Sequence, residues 1–181
     1  MGLYNDQIAT VNLMLTGLRN SVQRIETSAA ESDPDALFIA TFETLNWAVS
    51  LDDRIRTHWV PRGKPLGWKW RMEAPGGDLV AACRFVRNRV HHQWADALRL
   101  DTGGRRYPKV YPLQYREWVW RNSSDLPESD NPDRFPDWGK DEYVEHLQER
   151  PARAIAGLLQ PCEYVVERLE PVHWLRPQPG E

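Results

Sequence analysis

Apolar residues in the first 58 positions recur every three or four residues, the spacing of an amphipathic α-helix. They first predict a helix over residues 3–28, whose apolar stripe consists of Ile8, Val11, Leu15, Leu18, Val22 and Ile25. Asp33 and Pro34 then interrupt the pattern as a candidate N-cap and a proline suited to the first helical position. A second helix is therefore predicted from Pro34 to about His58.

A basic loop rich in proline and glycine, over residues 60–77, separates this pair from the next helical pattern. Asp78 is a candidate cap for a third helix that reaches about Leu100, and residues 101–104 are expected to close it. The apolar positions of this third helix are Leu79, Cys83, Val86, Val90, Trp94 and Ala97 or Leu98.

The C-terminal half of the chain adds a short alternating pattern to the helical ones. Residues 105–121 alternate aromatic or apolar residues with polar ones, which favours one or two short strands. Helical patterns return at 140–148 and at 151–169, where Pro161 predicts a bend or a break. We therefore expect a single domain, residues 1–181, of mainly all-α class. It is an up-and-down bundle of four long helices plus a short fifth, with a small β-hairpin-like insertion at about 105–121 inside a longer insertion at about 102–140.

The formal net charge of −3 conceals three blocks of opposite sign. Residues 1–53 hold 2 Lys/Arg against 8 Asp/Glu, residues 54–121 hold 15 against 5, and residues 122–181 hold 6 against 13, so the blocks carry −6, +10 and −7. A basic centre of this kind can bind a polyanion, because clustered Lys and Arg neutralise phosphates. It can equally be neutralised by acidic flanks that fold back on it, and charge alone does not separate the two interpretations.

Neither a membrane segment nor a structural zinc site is expected. The longest apolar runs are far too short to cross a bilayer, so the chain is predicted to be soluble and cytoplasmic, without membrane partners. Cys83 and Cys162 lie within apolar helical patterns and are expected to be buried free thiols. No glycine-rich phosphate loop, HExxH, GxSxG or paired CxxC motif occurs, and no cofactor is predicted.

Two pairs of residues each allow a functional and a structural interpretation. Adjacent Asp52 and Asp53 would point about 100° apart on a helix, which favours solvated side chains or salt bridges to the following arginines over a shared metal. Trp68 and Trp70 in the basic loop could stack on nucleic-acid bases. Nine tryptophans also serve to cover a small core, and we favour that role.

Arg87, Asn88, His91 and His92 form a dense group of chemically active side chains in the predicted third helix. Arg87 and His91 would be about 40° apart around the helix axis, whereas Arg87 and His92 would be about 140° apart. A site on one helix face would therefore use Arg87 and His91, with Arg84 or Asn88 beside them. The alternative is a half-exposed polar rim without a catalytic role.

Arg87, Asn88 and His92 resemble the signature of the HEPN superfamily (higher eukaryotes and prokaryotes nucleotide-binding domain). This signature is an arginine, a polar residue after it, and a histidine separated from the arginine by four to six residues. Four residues separate Arg87 from His92, whereas three separate it from His91, which falls outside the pattern. The resemblance covers about residues 1–100 and 141–170 and does not account for the tryptophan-rich insertion.

The resemblance implies a metal-independent endoribonuclease, often a toxin or a phage-defence effector, that acts as a homodimer with the motifs of two subunits facing each other. A two-fold contact presents the same patch twice, so Arg87 of one subunit and His92 of the other can converge. Histidine transfers protons near neutral pH and arginine binds phosphoryl oxygens, which suits RNA cleavage to a 2′,3′-cyclic phosphate with Asn88 assisting. His91 and Glu43 are further candidates for the site. The residues expected to bind the RNA backbone are Arg84, Arg89, Arg105, Arg106 and Lys109.

The resemblance leaves the partner and the activity open. Trp94 occupies the position at which some relatives carry a tyrosine that a nucleotidyltransferase antitoxin modifies with AMP, so the resemblance does not extend to that modification. An antitoxin or a regulatory protein is still a class of partner that the resemblance implies. Other members of the superfamily are catalytically silent modules that bind nucleotides or proteins, and the sequence fits that alternative as well.

Overall fold

The computed structural model describes residues 2–58, 70–91, 93–102, 116–129 and 137–168. Two long helices come first, α1 (Gly2–Glu31) and α2 (Pro34–His58). Asp33 caps α2, because the N–H of Ala36 donates to Asp33 Oδ1 at 3.0 Å. Both predicted helices and the predicted cap are confirmed.

The first two helices pack against each other in antiparallel orientation. Gly17 lies against Trp47 and Arg24 pairs with Glu43, so the partners' numbers run in opposite directions along α1 and α2. A Cβ on Gly17 would lie 2.6 Å from the indole ring of Trp47. Glycine at this position therefore lets the indole pack directly on the α1 backbone.

The third helix, α3 (Asp78–Val90), is shorter than its apolar pattern predicts. Asp78 lies in the first turn and Gly77 is the N-cap, so the prediction of Asp78 as the cap is wrong. After Val90 the N–H of Ala95 donates to the carbonyl of Val90 at 3.1 Å, and Trp94 has a left-handed backbone with φ 50°. This six-residue turn closes the helix C-terminus. The prediction that α3 runs to about Leu100 is therefore wrong.

The small β element is a two-stranded antiparallel sheet of β1 (Leu98–Asp101) and β2 (Glu117–Trp120). The predicted hairpin is present, but its first strand lies in the segment expected to be helical, and residues 103–115 lie outside the described residues. β2 is anchored to the body of the protein, because the N–H of Trp120 donates to the carbonyl of Arg150 at 3.0 Å. The Trp120 indole N–H donates to the carbonyl of Ala152 at 3.3 Å.

The C-terminal helical region is divided into short pieces. It contains α4 (Lys140–His146), a 3-10 helix (Ala152–Leu158) and α5 (Leu159–Val166). Pro161 lies in the first turn of α5 and cannot donate to the carbonyl of Gly157, so the predicted interruption takes the form of a change from 3-10 to α geometry. Gly139, with φ 87°, precedes α4, and a Cβ there would lie 2.3 Å from the carbonyl oxygen of Ala81. Glycine therefore permits the close approach of α4 to α3.

One hydrophobic core connects these elements, and its largest fully buried side chains include Trp70, Trp120 and Tyr143. The expected all-α class with a small hairpin is confirmed. Trp70 belongs to the core, as favoured from the sequence, and Trp68 lies outside the described residues. Cys83 and Cys162 are both buried free thiols, as predicted. Within the described ranges, no helix is both long enough and apolar enough to cross a membrane.

Candidate functional site at the end of the third helix

Arg87 is a half-buried cation in the last turn of α3. Its Nη1 donates a long hydrogen bond of 3.5 Å to Asn88 Oδ1. Its Nε is buried and has no hydrogen-bond partner among the described residues, and no salt bridge to Arg87 occurs among them. Burial lowers the pKa of the Arg87 guanidinium, the positive charge of Arg84 adds to this, and Asp53 opposes it. A partly desolvated guanidinium without a counter-ion is suited to bind an anion.

His91 lies at the C-cap of α3 and belongs to an aromatic stack. Its backbone N–H donates to the carbonyl of Arg87 at 3.0 Å. The centroid of its ring lies 4.6 Å from that of the Phe42 ring, at an interplanar angle of 18°. Trp94 also stacks on Phe42, at 4.9 Å and 8°. His92 lies outside the described residues.

Trp94 combines exposure with an unusual backbone conformation. Its side chain is 70% exposed, although it stacks on Phe42, and its φ of 50° is rare for a bulky residue. Left-handed conformations of non-glycine residues cost about 1–3 kcal/mol and are concentrated at functional sites. The Trp94 indole is therefore an exposed apolar surface beside the C-terminus of α3.

Arg84, one of the residues predicted to bind RNA, pairs with two carboxylates of α2. Its Nη2 lies 2.6 Å from Asp52 Oδ2 and 2.5 Å from Asp53 Oδ1. Burial lowers the pKa of Arg84, but the attraction of Asp52 and the hydrogen bonds to both carboxylates outweigh it and leave the pKa raised. The Asp52 side chain is fully buried and also accepts a hydrogen bond of 3.0 Å from the Trp70 indole. The Arg84 charge is therefore matched inside the protein.

Arg89, the second predicted RNA-binding residue of α3, also has an acidic partner. It pairs with Asp137 and donates to the carbonyl of Pro127 at 3.2 Å. These contacts join the end of α3 to the segment before α4. Three further residues predicted to bind RNA lie outside the described residues: Arg105, Arg106 and Lys109.

Glu43 is half-buried on the surface formed by α1 and α2, where it pairs with Arg24. It lines an open groove together with Asn46 and Trp47 of the same helix. Phe42, which contacts His91, lines this groove as well. Glu43 therefore directly follows Phe42 of the aromatic stack in the sequence, but its ion-pair partner, Arg24, lies on α1.

The acidic flanks of the chain do fold back on its basic centre. Asp52 and Asp53 come from the N-terminal block and neutralise Arg84, while Asp137 from the C-terminal block neutralises Arg89. Arg99 lies 3.5 Å from Glu149 of the same C-terminal block. Arg87 receives no such partner among the described residues, which distinguishes it from its helical neighbours.

The salt bridges to following arginines that the sequence favours are present: Asp53 lies 3.8 Å from Arg56, and Asp52 pairs with Arg71 and Arg84. The sequence interpretation missed that the Asp52 side chain is fully buried. Asp52 is three residues before Ile55 and four after Ala48, both of them fully buried, so it lies on the apolar stripe of α2. A carboxylate in an apolar stripe was the available signal of a buried ion pair.

The end of α3 thus presents two hydrogen-bonding groups, a guanidinium and an amide. The Arg87 guanidinium can donate to phosphoryl or carboxylate oxygens, and Asn88 beside it offers a neutral amide. Asp, Glu, His and Cys side chains form no cluster able to hold a metal ion in the part of the chain that the structure describes.

Comparison of the chain with models of protein families, with curated proteins and with solved structures found no match.

Proposed function

We propose that the protein is a metal-independent endoribonuclease of HEPN type. The observation that carries this proposal is Arg87, a half-buried guanidinium that lacks a counter-ion among the described residues, while Arg84 and Arg89 on the same helix each have one. Leaving a cation partly desolvated and unpaired is unfavourable unless an anion binds there. A phosphodiester of RNA is an anion of suitable geometry for the planar guanidinium.

The proposed chemistry divides between Arg87, Asn88 and His92. Arg87 binds the non-bridging oxygens of the scissile phosphate and stabilises the charge that develops there, with Asn88 holding an oxygen or orienting His92. A base removes the proton of the 2′-hydroxyl, the 2′-oxygen attacks phosphorus, and the 5′-oxygen leaves with a proton. His92 performs one of these proton transfers, because histidine titrates near neutral pH. The products are a 2′,3′-cyclic phosphate and a 5′-hydroxyl.

A homodimer is proposed to complete the site. Trp94 is 70% exposed beside it, and Ile39, one helical turn before Phe42 on α2, is 52% exposed. Exposed apolar side chains next to a charged site are typical of a surface that another protein covers. A two-fold contact through this surface would bring Arg87 of one copy close to His92 of the other.

The cleavage proposal is tested with labelled RNA in EDTA. We expect wild-type protein to produce 2′,3′-cyclic phosphate ends, and Arg87→Ala and His92→Ala each to lower the cleavage rate by about 100-fold or more. Arg19→Ala is the matched control, since Arg19 is a 50% exposed arginine paired with Glu163, and neither residue is a candidate for the site. Intact RNA with the wild type, or equal rates for wild type and His92→Ala, would overturn the proposal.

The dimer proposal is tested by light scattering at micromolar concentration. We expect a mass of twice the chain mass of 21.1 kDa. The double variant Ile39→Ser and Trp94→Ser is expected to shift the protein towards monomer and to lower the cleavage rate in parallel. A wild-type monomer that still cleaves RNA would remove the composite site while leaving the nuclease proposal in place.

A catalytically silent module that binds nucleotide or protein is the second proposal. It is favoured by the neutralised arginines, because the ion pairs of Arg84, Arg89 and Arg99 weaken the positive field that would hold RNA. Nucleotide binding without cleavage identifies this alternative.

If cleavage is found, growth arrest on expression would favour a toxin with a cognate antitoxin, and protection against phage would favour a defence effector.

A further inference from the structure

A cavity of about 440 Å³ lies between the N-terminal half of α2, the segment 95–98 and β2. Its apolar walls include the rings of Phe38, Phe42 and Trp118 together with Leu45 and Val90. Arg87 is not among the residues that line it. The volume is within the range of about 300–1,000 Å³ that small-molecule sites occupy.

Two buried polar atoms of residues that line this cavity lack hydrogen-bond partners among the described residues. They are Oγ1 of Thr41, a residue that is 4% exposed, and Nε1 of Trp118. Comparable atoms nearby are satisfied: Thr44 Oγ1 donates to the carbonyl of Ala40 at 2.8 Å, and Trp120 Nε1 donates to the carbonyl of Ala152 at 3.3 Å. An unsatisfied buried polar group destabilises the folded protein, and a ligand with matching groups satisfies these two atoms once the Thr41 and Trp118 side chains turn towards the cavity.

The charges around the cavity limit the kind of ligand. Among the described residues, its lining contains no Lys or Arg, whereas Asp35 and Asp96 line it as exposed carboxylates. A phosphate would be repelled there, but carboxylates at the rim can accept hydrogen bonds from hydroxyl groups. The enclosed part favours a flat ring between aromatic side chains, with an acceptor for the Trp118 N–H.

We infer that this cavity binds a free, uncharged nucleoside. The base lies among Phe38, Phe42 and Trp118, it accepts from the Trp118 indole and hydrogen-bonds with Thr41, and the ribose hydroxyls donate to Asp35 and Asp96. A base within bound RNA fits less well, because its flanking phosphates would lie beside the two carboxylates. This inference does not rest on RNA cleavage, since none of these residues belongs to the proposed catalytic set.

The test is isothermal titration of the full chain with adenosine, guanosine, cytidine and uridine. We expect at least one to bind, and its 5′-monophosphate to bind at least about threefold more weakly because of the carboxylates. Thr41→Val, which keeps the shape and removes the unpaired hydroxyl, is expected to weaken nucleoside binding by about fivefold or more. Thr44→Val is the matched control on the same helix and is expected to bind as the wild type does.

Folding of the variants is checked by thermal melting. Thr41→Val should melt at the wild-type temperature or above it, whereas Thr44→Val should melt lower because it loses a satisfied hydrogen bond. Trp118→Phe, which removes the N–H and keeps a ring, is the second binding variant and should also weaken binding. The inference is overturned if none of the four nucleosides binds, if the monophosphate binds more tightly, or if the folded Thr41→Val and Trp118→Phe proteins bind like wild type.

Discussion

Replacing Asp52 with Asn should destabilise the protein far more than a change of one atom type suggests. The Asp52 carboxylate is fully buried and faces Arg84 at 2.6 Å and Arg71 at 3.5 Å, and the side chains of these arginines are only 14% and 7% exposed. The amide keeps the shape but carries no charge. Two largely buried guanidinium groups would then lose their shared counter-ion.

The expected loss is about 3–5 kcal/mol, the cost of breaking a buried ion pair by removing one partner. Single domains have total stabilities of about 5–15 kcal/mol, so this loss is a large part of the whole. Glu43→Gln is the matched control, since it removes the carboxylate of an ion pair whose side chains are 50% and 37% exposed. It should cost less than about 1 kcal/mol.

The free energy of unfolding is measured by urea denaturation at one fixed protein concentration, with far-UV circular dichroism as the signal. A loss for Asp52→Asn below about 1 kcal/mol, or one equal to that of Glu43→Gln, would refute the reasoning. It would mean that solvent, or Asp53, which lies 2.5 Å from Arg84, compensates the two guanidinium groups without Asp52.

Three further outcomes follow from local structure. Ser32 has φ 57° and is exposed, so Ser32→Gly should stabilise the protein by up to about 1 kcal/mol, seen as a higher melting temperature. Gly139→Ala should cost at least about 2 kcal/mol in urea denaturation, because the new Cβ would meet the carbonyl oxygen of Ala81 and φ is 87°. Burial raises the pKa of the Cys83 and Cys162 thiols, so neither should react with a thiol reagent in the native state at pH 8, while both react after unfolding. Since these pKa values are raised in the folded state, their contribution to stability is complete below the pKa of an unfolded thiol, about 8.5, and declines as pH rises above it.

The exposed turn after α3 illustrates where sequence patterns stop being informative. The apolar spacing of α3 continues through Trp94 to Leu98, and this spacing by itself predicts a helix to about Leu100. Leu98 instead pairs with Trp120, a partner 22 positions away, and the chain leaves the helix through the left-handed Trp94. Periodicity reports local burial, and a buried position in a helix looks the same as one in a strand that packs on the core.

In the candidate site too, the sequence shows some of the features and only the tertiary structure shows the others. Arg87, Asn88 and the adjacent histidines were visible in the sequence, because their residue types carry phosphate and proton chemistry regardless of fold. Which arginine remains available for an anion was not visible. Arg84 and Arg87 are three residues apart and look alike in the sequence, yet only Arg84 meets carboxylates of α2 among the described residues.

The sequence by itself determined α1, α2 and the cap at Asp33, since these depend on contacts between residues within one or two helical turns. It also determined the mainly helical class and the burial of both cysteines. The tertiary structure alone decided the end of α3, the buried position of Asp52 and, among the described residues, the lack of an acidic partner for Arg87. Those features depend on which distant segments approach each other, because charge neutralisation and strand pairing act through space between groups that are far apart in the chain.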